Sequence, residues 1–468
     1  MQVPIVAPAP LVTTHAQAFR DLFENQCQFR HFQNYLTGLM VLSNKAMSNI
    51  SRCLIDSSDK TNLSRFFSQA PWIEDNINDR RIDYLLEHTA TYRRKPKDSF
   101  MILDDTLCEH VGTLFEYVDK HYDHCEDRYP LAHNLVTSFY VSGAVRFPVD
   151  VRLYRRYEEK TEWERYVKKH FPDCQIPTIK KQRQQFHKEV DAILLKDAEF
   201  KKLHDSFQTK ITLAIELVEK AIERGLEFTV ALMDSWYLSP DLVEALEKRK
   251  IDWVSLLKKN RKIEVAGLTL RDEQGKKIEL GGVHIKVEEM VKLIPNSAYK
   301  KQTIGGKDYW YFAINVRVAS LGKVRLVISY DNEKMVGTYA VLISNRTDWS
   351  GKKIIEIYLQ RWSIETFYQD SKGNLGLNEY RMRKAEAIKK HWCLVLVAYW
   401  MLRLDCLRAS PIKEKLHPIK TIGEVCRQQG QAVMESLIMY SHKLLIEGKS
   451  ATEVFSNLFA KQRLVLTT

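Results

Sequence analysis

The sequence predicts a mixed α/β protein, a sheet core interrupted by a β-rich segment and flanked by helical regions at both ends. Three observations carry this. Two short apolar runs, 100–103 and 228–233, each stop abruptly at an aspartate, as buried strands do on leaving a sheet. Helical patterns lie between and after them, and strands alternating with helices form a mixed sheet. Residues 260–345 lose the helical period, and the chain regains it from residue 350 almost to its end.

Length and composition bound the rest. At 468 residues the chain exceeds one compact domain, and 45% hydrophobic residues exclude global disorder. The net charge of +12 fits an anionic partner such as nucleic acid. None of the 8 cysteines forms a C-x-x-C pair, which excludes a zinc ribbon or dithiol redox motif and indicates reduced thiols. The longest apolar run, 393–402, is too short for a bilayer and reads as a buried core helix. No basic stretch followed by an apolar run opens the chain, so no secretion signal is expected.

Residues 15–90 read as helical. Within them, 43–55 places Ala46, Met47, Ile50 and Leu54 on one face, residues 56–59 form a polar turn, and 62–68 a second short helix. Two helices joined by a tight turn suggest a helix-turn-helix, with Lys45, Arg52, Lys60 and Arg65 as phosphate contacts. An ordinary helical bundle with a solvated basic face is the plainer alternative.

After a basic linker at 93–97 comes the strand 100–103, ending at Asp104, Asp105 and Thr106. Extended runs at 138–145 and 149–154, near Gly143 and Pro148, suggest antiparallel neighbours. Residues 185–225 read as helix, with Ile211, Ala214, Ile215, Val218 and Ile222 at offsets of three and four. The strand 228–233 ends at Asp234. Ser239 and Pro240 then supply an N-cap and a first-turn proline for a helix running to Lys248, and 251–257 is a further strand. In the β-rich segment, 310–318 and 324–329 form a hairpin turning near Leu321 and Gly322, and 338–344 is another strand.

Two strands thus deliver an aspartate from a rigid mount, and magnesium favours such carboxylate oxygens. The strongest local signal is Tyr358, Arg361, Glu365 and Lys372. On one continuous helix these lie within about 60° of Tyr358. A solvated Arg361–Glu365 ion pair explains two of them. The same stripe also suits a phosphodiester, with the acid on metal and the cations on phosphate oxygens.

Here the chain resembles bacterial insertion-sequence transposases of the DDE class with the Tyr-x2-Arg-x3-Glu-x6-Lys signature, matching all four positions. Asp104, Asp105 and Thr106 match that family's first motif, Asp-x-Thr. Asp234 to Tyr237 match its second, Asp-x-x-Tyr. The resemblance covers roughly residues 30–405. It implies an RNase H-like catalytic core in which Asp104, Asp234 and Glu365 bind two Mg2+ ions, with Mn2+ as a substitute. Asp105 is the alternative first ligand, and Asp104 is preferred because the strand ends at it. Tyr358, Arg361 and Lys372 would hold DNA phosphates. The implied activity is cleavage of transposon ends and strand transfer into target DNA. The implied partners are double-stranded DNA with terminal inverted repeats, target DNA and a second copy of the chain on paired ends. No membrane partner is expected, and the place is cytoplasmic and nucleoid-associated. Trp310 and Trp349 are candidates for stacking an extruded base.

The expected divisions are an N-terminal helical DNA-binding domain (1–95), the catalytic core in two parts (96–259 and 346–405), the β-rich insertion (260–345) and a C-terminal helical region (406–468). Two other readings stand beside the transposase. One is a transposase-derived DNA-binding protein without cleavage, and the other an RNase H-like nuclease without strand transfer. His121, His124 and Cys125 lack a second pair at zinc-ligand spacing, and the basic run 258–262 suits a solvated turn as well as DNA.

Overall fold

The computed structural model describes residues 3–55, 60–123, 125–155, 163–264, 269–271, 274–278, 284–409 and 420–463. The N-terminal region is helical, as its periodicity predicts: α1 (Pro10–Ala16), α2 (Gln26–Val41), α3 (Met47–Cys53), α4 (Lys60–Ser68) and α5 (Glu74–Thr89). Asn25 caps α2 by accepting from the Gln28 amide at 2.9 Å. Gly38 lets α2 approach α3, because a Cβ there would meet the Ile50 side chain at 2.6 Å. Phe23, Phe32, Phe66 and Trp72 form an aromatic cluster, with Phe66 and Trp72 stacked at 5.1 Å between ring centres. The polar turn expected at 56–59 lies outside the described residues.

The core opens with β1 (Ser99–Glu109), β2 (Asp119–Lys120), β3 (Leu131–Ser142) and β4 (Val145–Tyr154), with β3 pairing antiparallel to each of the other three. The expectation that β1 stops at Asp104 is corrected. The strand continues to Glu109 because β3 pairs with it throughout, Asp104 lying opposite Thr137. The β3–β4 turn falls at Gly143, whose φ of 62° suits glycine, so the strand expected at 138–145 is really the end of one strand and the start of the next. Pro148 lies opposite Phe139 beside the register shift between Ser138 and Phe139, where a missing N–H is tolerated. The fully buried Arg81 on α5 donates to the Pro148 and Val149 carbonyls at 2.8 and 2.7 Å, satisfying the irregular backbone.

The helix expected at 185–225 is instead three: α7 (Lys180–Leu194), α8 (Ala198–Asp205) and α9 (Lys210–Glu223), after a preceding α6 (Trp163–His170). Asp197 and Thr209 end the continuity by capping α8 and α9 with their side chains. Helices α6 to α8 share a small apolar cluster of their own, centred on Trp163, Val190 and Phe200. On α9 the buried face is Leu213, Ala214, Leu217, Val218 and Ala221, while Ile222, expected to be buried, is exposed.

β5 (Val230–Met233) runs parallel to β1, α10 (Pro240–Lys248) begins at the Ser239 cap as expected, and β6 (Asp252–Leu256) runs parallel to β5. The order β4-β3-β1-β5-β6, three antiparallel strands followed by two parallel ones, is RNase H-like.

The β-rich segment contains β7 (Lys262–Glu264), β8 (Leu270–Arg271), β9 (Lys277–Ile278), β10 (His284–Lys286), α11 (Val287–Val291), β11 (Lys300–Ile304), β12 (Lys307–Val318), β13 (Gly322–Tyr330) and β14 (Ala340–Ser344). The expected hairpin is β12–β13. β14 pairs with β6, so the segment prolongs the core sheet to 12 described strands.

Five helices follow: α12 (Gly351–Leu359), α13 (Trp362–Leu375), α14 (Ala385–Arg408), α15 (Ile422–Ile446) and α16 (Ala451–Arg463). α14 is buried along most of its length, packing against β4, α2, α5 and α15. One apolar core therefore runs from α2 through the sheet to α15. No described helix is long and apolar enough to cross a membrane.

Candidate active site

The parallel pairing of β1 and β5 ends at Leu103 opposite Met233. Asp104 and Asp234 are the next residue on each chain, so both aspartates arrive at the same place, where β5 has ended and a crevice opens. Asp234 turns the chain: its carboxylate accepts from the Trp236 and Tyr237 amides at 2.8 and 3.1 Å, and its carbonyl accepts from Ser255 Oγ at 2.9 Å. The turn is thereby tied to β6.

Strand alternation separates the two neighbouring acids on β1. Asp104 shares a face with Ile102, opposite Thr137 and Phe139, and α13 covers this face through Phe367 on Phe139 at 5.7 Å. There Arg361 donates to Asp104 and, through its other terminal nitrogen, to Glu365 at 3.1 Å. Asp105 points to the other face. It accepts from Lys210 Nζ at 2.8 Å, Asn134 Nδ2 at 2.8 Å and the Tyr237 hydroxyl at 2.9 Å. Tyr237 was visible in the sequence as part of a motif, but its partner was not. Lys210 and Asn134 carry no sequence signal at all, because only the fold brings them to Asp105.

The single helical stripe expected for Tyr358, Arg361, Glu365 and Lys372 is corrected. The helix breaks at Gln360 and Arg361, where amides bond three residues back, Gln360 to Ile357 and Arg361 to Tyr358, both at 3.0 Å. Tyr358 lies in the last turn of α12, while Glu365 and Lys372 lie on α13. The tight turn between them still places the Arg361 guanidinium 5.9 Å from the Tyr358 ring centre. Lys372 lies farther along α13, without an ion-pair partner among the described residues, and its charge is felt by the buried Cys108 thiol on β1.

Burial pushes the Asp104 carboxyl up to about 7; Arg361 opposes this, and the carboxylates of Asp105, Glu365 and Asp234 add to it. Burial acts to lower Arg361, yet Asp104, Tyr358, Glu365 and Asp234 hold it above the usual arginine range. Burial also raises the Tyr358 phenol. The crevice is therefore a partly dry cluster of acids that demands positive charge, and Arg361 supplies it.

The donor set, three carboxylates from three elements, fits a hard divalent cation. Their oxygens do not all draw within 4.8 Å of one another, and Arg361 bonds to two of the acids. Among the described residues, the trio that does converge is Glu109, Asp123 and Glu126, near the far end of β1, where Arg128 already bonds both glutamates.

The structure disperses the N-terminal basic residues. Lys45 is buried, donates to the Leu39 carbonyl at 2.5 Å and packs on Gly376 at the end of α13. Burial lowers its ammonium to about 8. A phosphate contact by Lys45 is thus corrected: the side chain faces inward. Arg52 is half-buried on α3 and Arg65 exposed on α4, while the Lys60 side chain lies outside the described residues. Trp349 is buried, with Lys353 and Arg346 4.2 and 5.0 Å from its ring centre. Trp310 on β12 is half-buried beside Lys301. The expected aromatic exposure is found elsewhere, at Trp236 and Trp362, 44% and 72% exposed beside Asp234 and Arg361. His124 lies outside the described residues.

Comparison with known proteins identifies the family. The family described as DDE superfamily endonuclease matches residues 18–283, more than half the chain, and includes Asp104 and Asp234. A second, described as transposase DDE domain, matches residues 201–401 and includes Asp234 and Glu365. No curated protein matches the chain. The chain belongs to the DDE superfamily endonucleases.

Proposed function

We propose that this chain is a cut-and-paste transposase of the Tyr-Arg-Glu-Lys signature group, cleaving transposon DNA ends and joining their 3′-hydroxyls to target DNA. The observation that carries this is Arg361 bonding both Asp104 of β1 and Glu365 of α13, with the Asp234 carboxylate close enough to raise Asp104 further. Asp104, Asp234 and Glu365 would hold two Mg2+ ions, or Mn2+ in their place, which when bound supply Lewis-acid charge to the scissile phosphodiester.

The chain's own residues prepare the site for that charge. Asp105 is neutralised by Lys210 and fixed by Tyr237 and Asn134, so β1 presents Asp104 in one orientation. Arg361 is the resident cation. When DNA enters, its guanidinium exchanges Asp104 for a phosphate oxygen, for which its planar fork is equally suited. Tyr358, whose buried hydroxyl lacks a partner of regular geometry, donates to the same strand. Lys372 grips a phosphate farther along α13. The net charge of +12 favours DNA of any sequence, and Arg52, Lys60 and Arg65 add phosphate contacts on inverted repeats. Two copies act on paired ends, at the nucleoid.

The test is excision of a DNA segment bearing the gene's own flanks, comparing wild type with Glu365→Gln in Mg2+ and in Mn2+. Cleavage at the ends by wild type alone supports the proposal. Binding of the ends with no cleavage by either protein in either metal supports instead a DNA-binding derivative. That second reading has one observation in its favour, the Arg361–Asp104 bond that a metal must displace.

A further inference from the structure

Behind the α12–α13 turn lies a cleft of about 530 Å³, lined by Arg146 of β4, Gln360, Trp362 and Ser363 of the turn, Arg403 of α14 and Gly305 at the β11–β12 hairpin tip. Asp104, Asp234, Arg361 and Glu365 are not among its lining residues. Arg146 donates to Ser363 Oγ and Gln360 Oε1, both at 3.2 Å, leaving its buried Nε without an acceptor. Arg403 forms no hydrogen bond or ion pair among the described residues, and its Nε is likewise buried and unpartnered. The two guanidinium groups feel each other: burial first, then Arg403, lowers Arg146 to about 10. Of the nearby acids, Glu356 on the rim pairs with Lys352, and Asp370 interacts with Arg403 from beyond ion-pair distance while bonding Asn374.

Two like charges facing a partly dry cleft, neither with a paired carboxylate, are costly unless an anion joins them. Arginine forks match tetrahedral oxyanions, and the cleft is open enough to admit one. Its mouth is bounded by Trp362, 72% exposed, one residue from Arg361. We propose that this cleft is a phosphate-binding site, built by Arg146 and Arg403, that takes a backbone phosphate of DNA leaving the acid crevice. The DNA source rests on the function proposed above; the phosphate chemistry does not. A phosphate seated there would also fix the α12–α13 turn through Arg146, and so the position of Arg361.

The experiment uses the full chain without divalent metal and the variants Arg403→Gln, Arg403→Lys and Arg146→Lys. Thermal unfolding is followed with inorganic phosphate replacing chloride at constant ionic strength. Duplex DNA binding is measured by anisotropy across a salt series. The expected result is that phosphate raises the wild-type melting temperature and leaves Arg403→Gln unmoved. The slope of log K against log salt should also fall by about 1 in that variant, while the lysine variants stay close to wild type. Phosphate protection lost in Arg403→Gln with an unchanged DNA slope overturns the DNA source and leaves a free phosphate site. If wild type binds no DNA at all, the function proposed above fails, while the phosphate arm still decides the cleft. Equal phosphate protection of wild type and Arg403→Gln overturns the proposal.

Discussion

The hydroxyl of Tyr237 donates to Asp105 across 2.9 Å, tying the turn that follows β5 to the strand that carries Asp104. Tyr237 is also three residues from Asp234. One hydrogen bond therefore couples the placement of two acids that the sequence separates by 130 residues.

Replacing Tyr237 with Phe removes this bond and leaves Asp105 with Lys210 and Asn134. A hydrogen bond to a charged group contributes about 1.5–3 kcal/mol. Urea denaturation should show a loss within that range. DNA end binding should persist while cleavage falls, because the acids lose alignment and the phosphate contacts do not. Unchanged stability and unchanged cleavage together would show that Lys210 and Asn134 suffice to hold Asp105.

Arg361 competes with any metal for Asp104 and Glu365. Arg361→Gln should therefore bind Mn2+ more tightly than wild type in the absence of DNA, by at least about tenfold, or 1.4 kcal/mol. Calorimetric titration reads this directly. The same variant should lose cleavage, because phosphate loses its guanidinium. Weaker Mn2+ binding in the variant would instead make Arg361 part of the metal site's support.

Two buried histidines, His391 and His15, and the half-buried His110 make the fold acid-sensitive. His391 accepts from the Tyr35 hydroxyl at 2.8 Å and donates to the Gly376 carbonyl at 3.0 Å, and burial lowers it from 6.5 to about 4. His15 and His110 are lowered to about 4 by the same cause. The unfolded chain then binds more protons than the folded one between these values. The stability these histidines contribute is fully present above pH 6.5, falls as pH drops through that window, and is gone by about 4. For the fully buried His391 the contribution is roughly 3 kcal/mol. Melting temperatures measured across this window should decline steeply in wild type and less steeply in His391→Gln.

Lys45 and Arg65 should separate in a salt titration of DNA binding. Arg65→Ala removes an exposed cation and should lower the salt slope by about 1. Lys45→Met should leave the slope unchanged and affect only stability, because its ammonium is already bonded to Leu39. A reduced slope in Lys45→Met would mean that the side chain turns outward on DNA.

The sequence by itself located the main strands of the core and nominated its acids. Apolar runs of four to six residues ending in Asp marked β1 and β5, because a buried strand must be apolar and its exit must not. Ser239 and Pro240 marked the start of α10, because cap chemistry is local. The signature from Tyr358 to Lys372 named the third acid and its neighbours. Only the tertiary structure decided what depends on pairing and burial. Asp104 and Asp105 are chemically identical neighbours. The register with β3 and β5 sends one to Arg361 and the other to Lys210, since a one-residue step reverses the face of a strand. The break at Gln360 and the burial of Lys45 were equally invisible. Helical periodicity alone extends through the turn, and a lysine reads as solvent-exposed until the end of α13 packs over it. Lys210 and Asn134 reach Asp105 from distant points in the chain, and no local pattern records a contact that only folding makes.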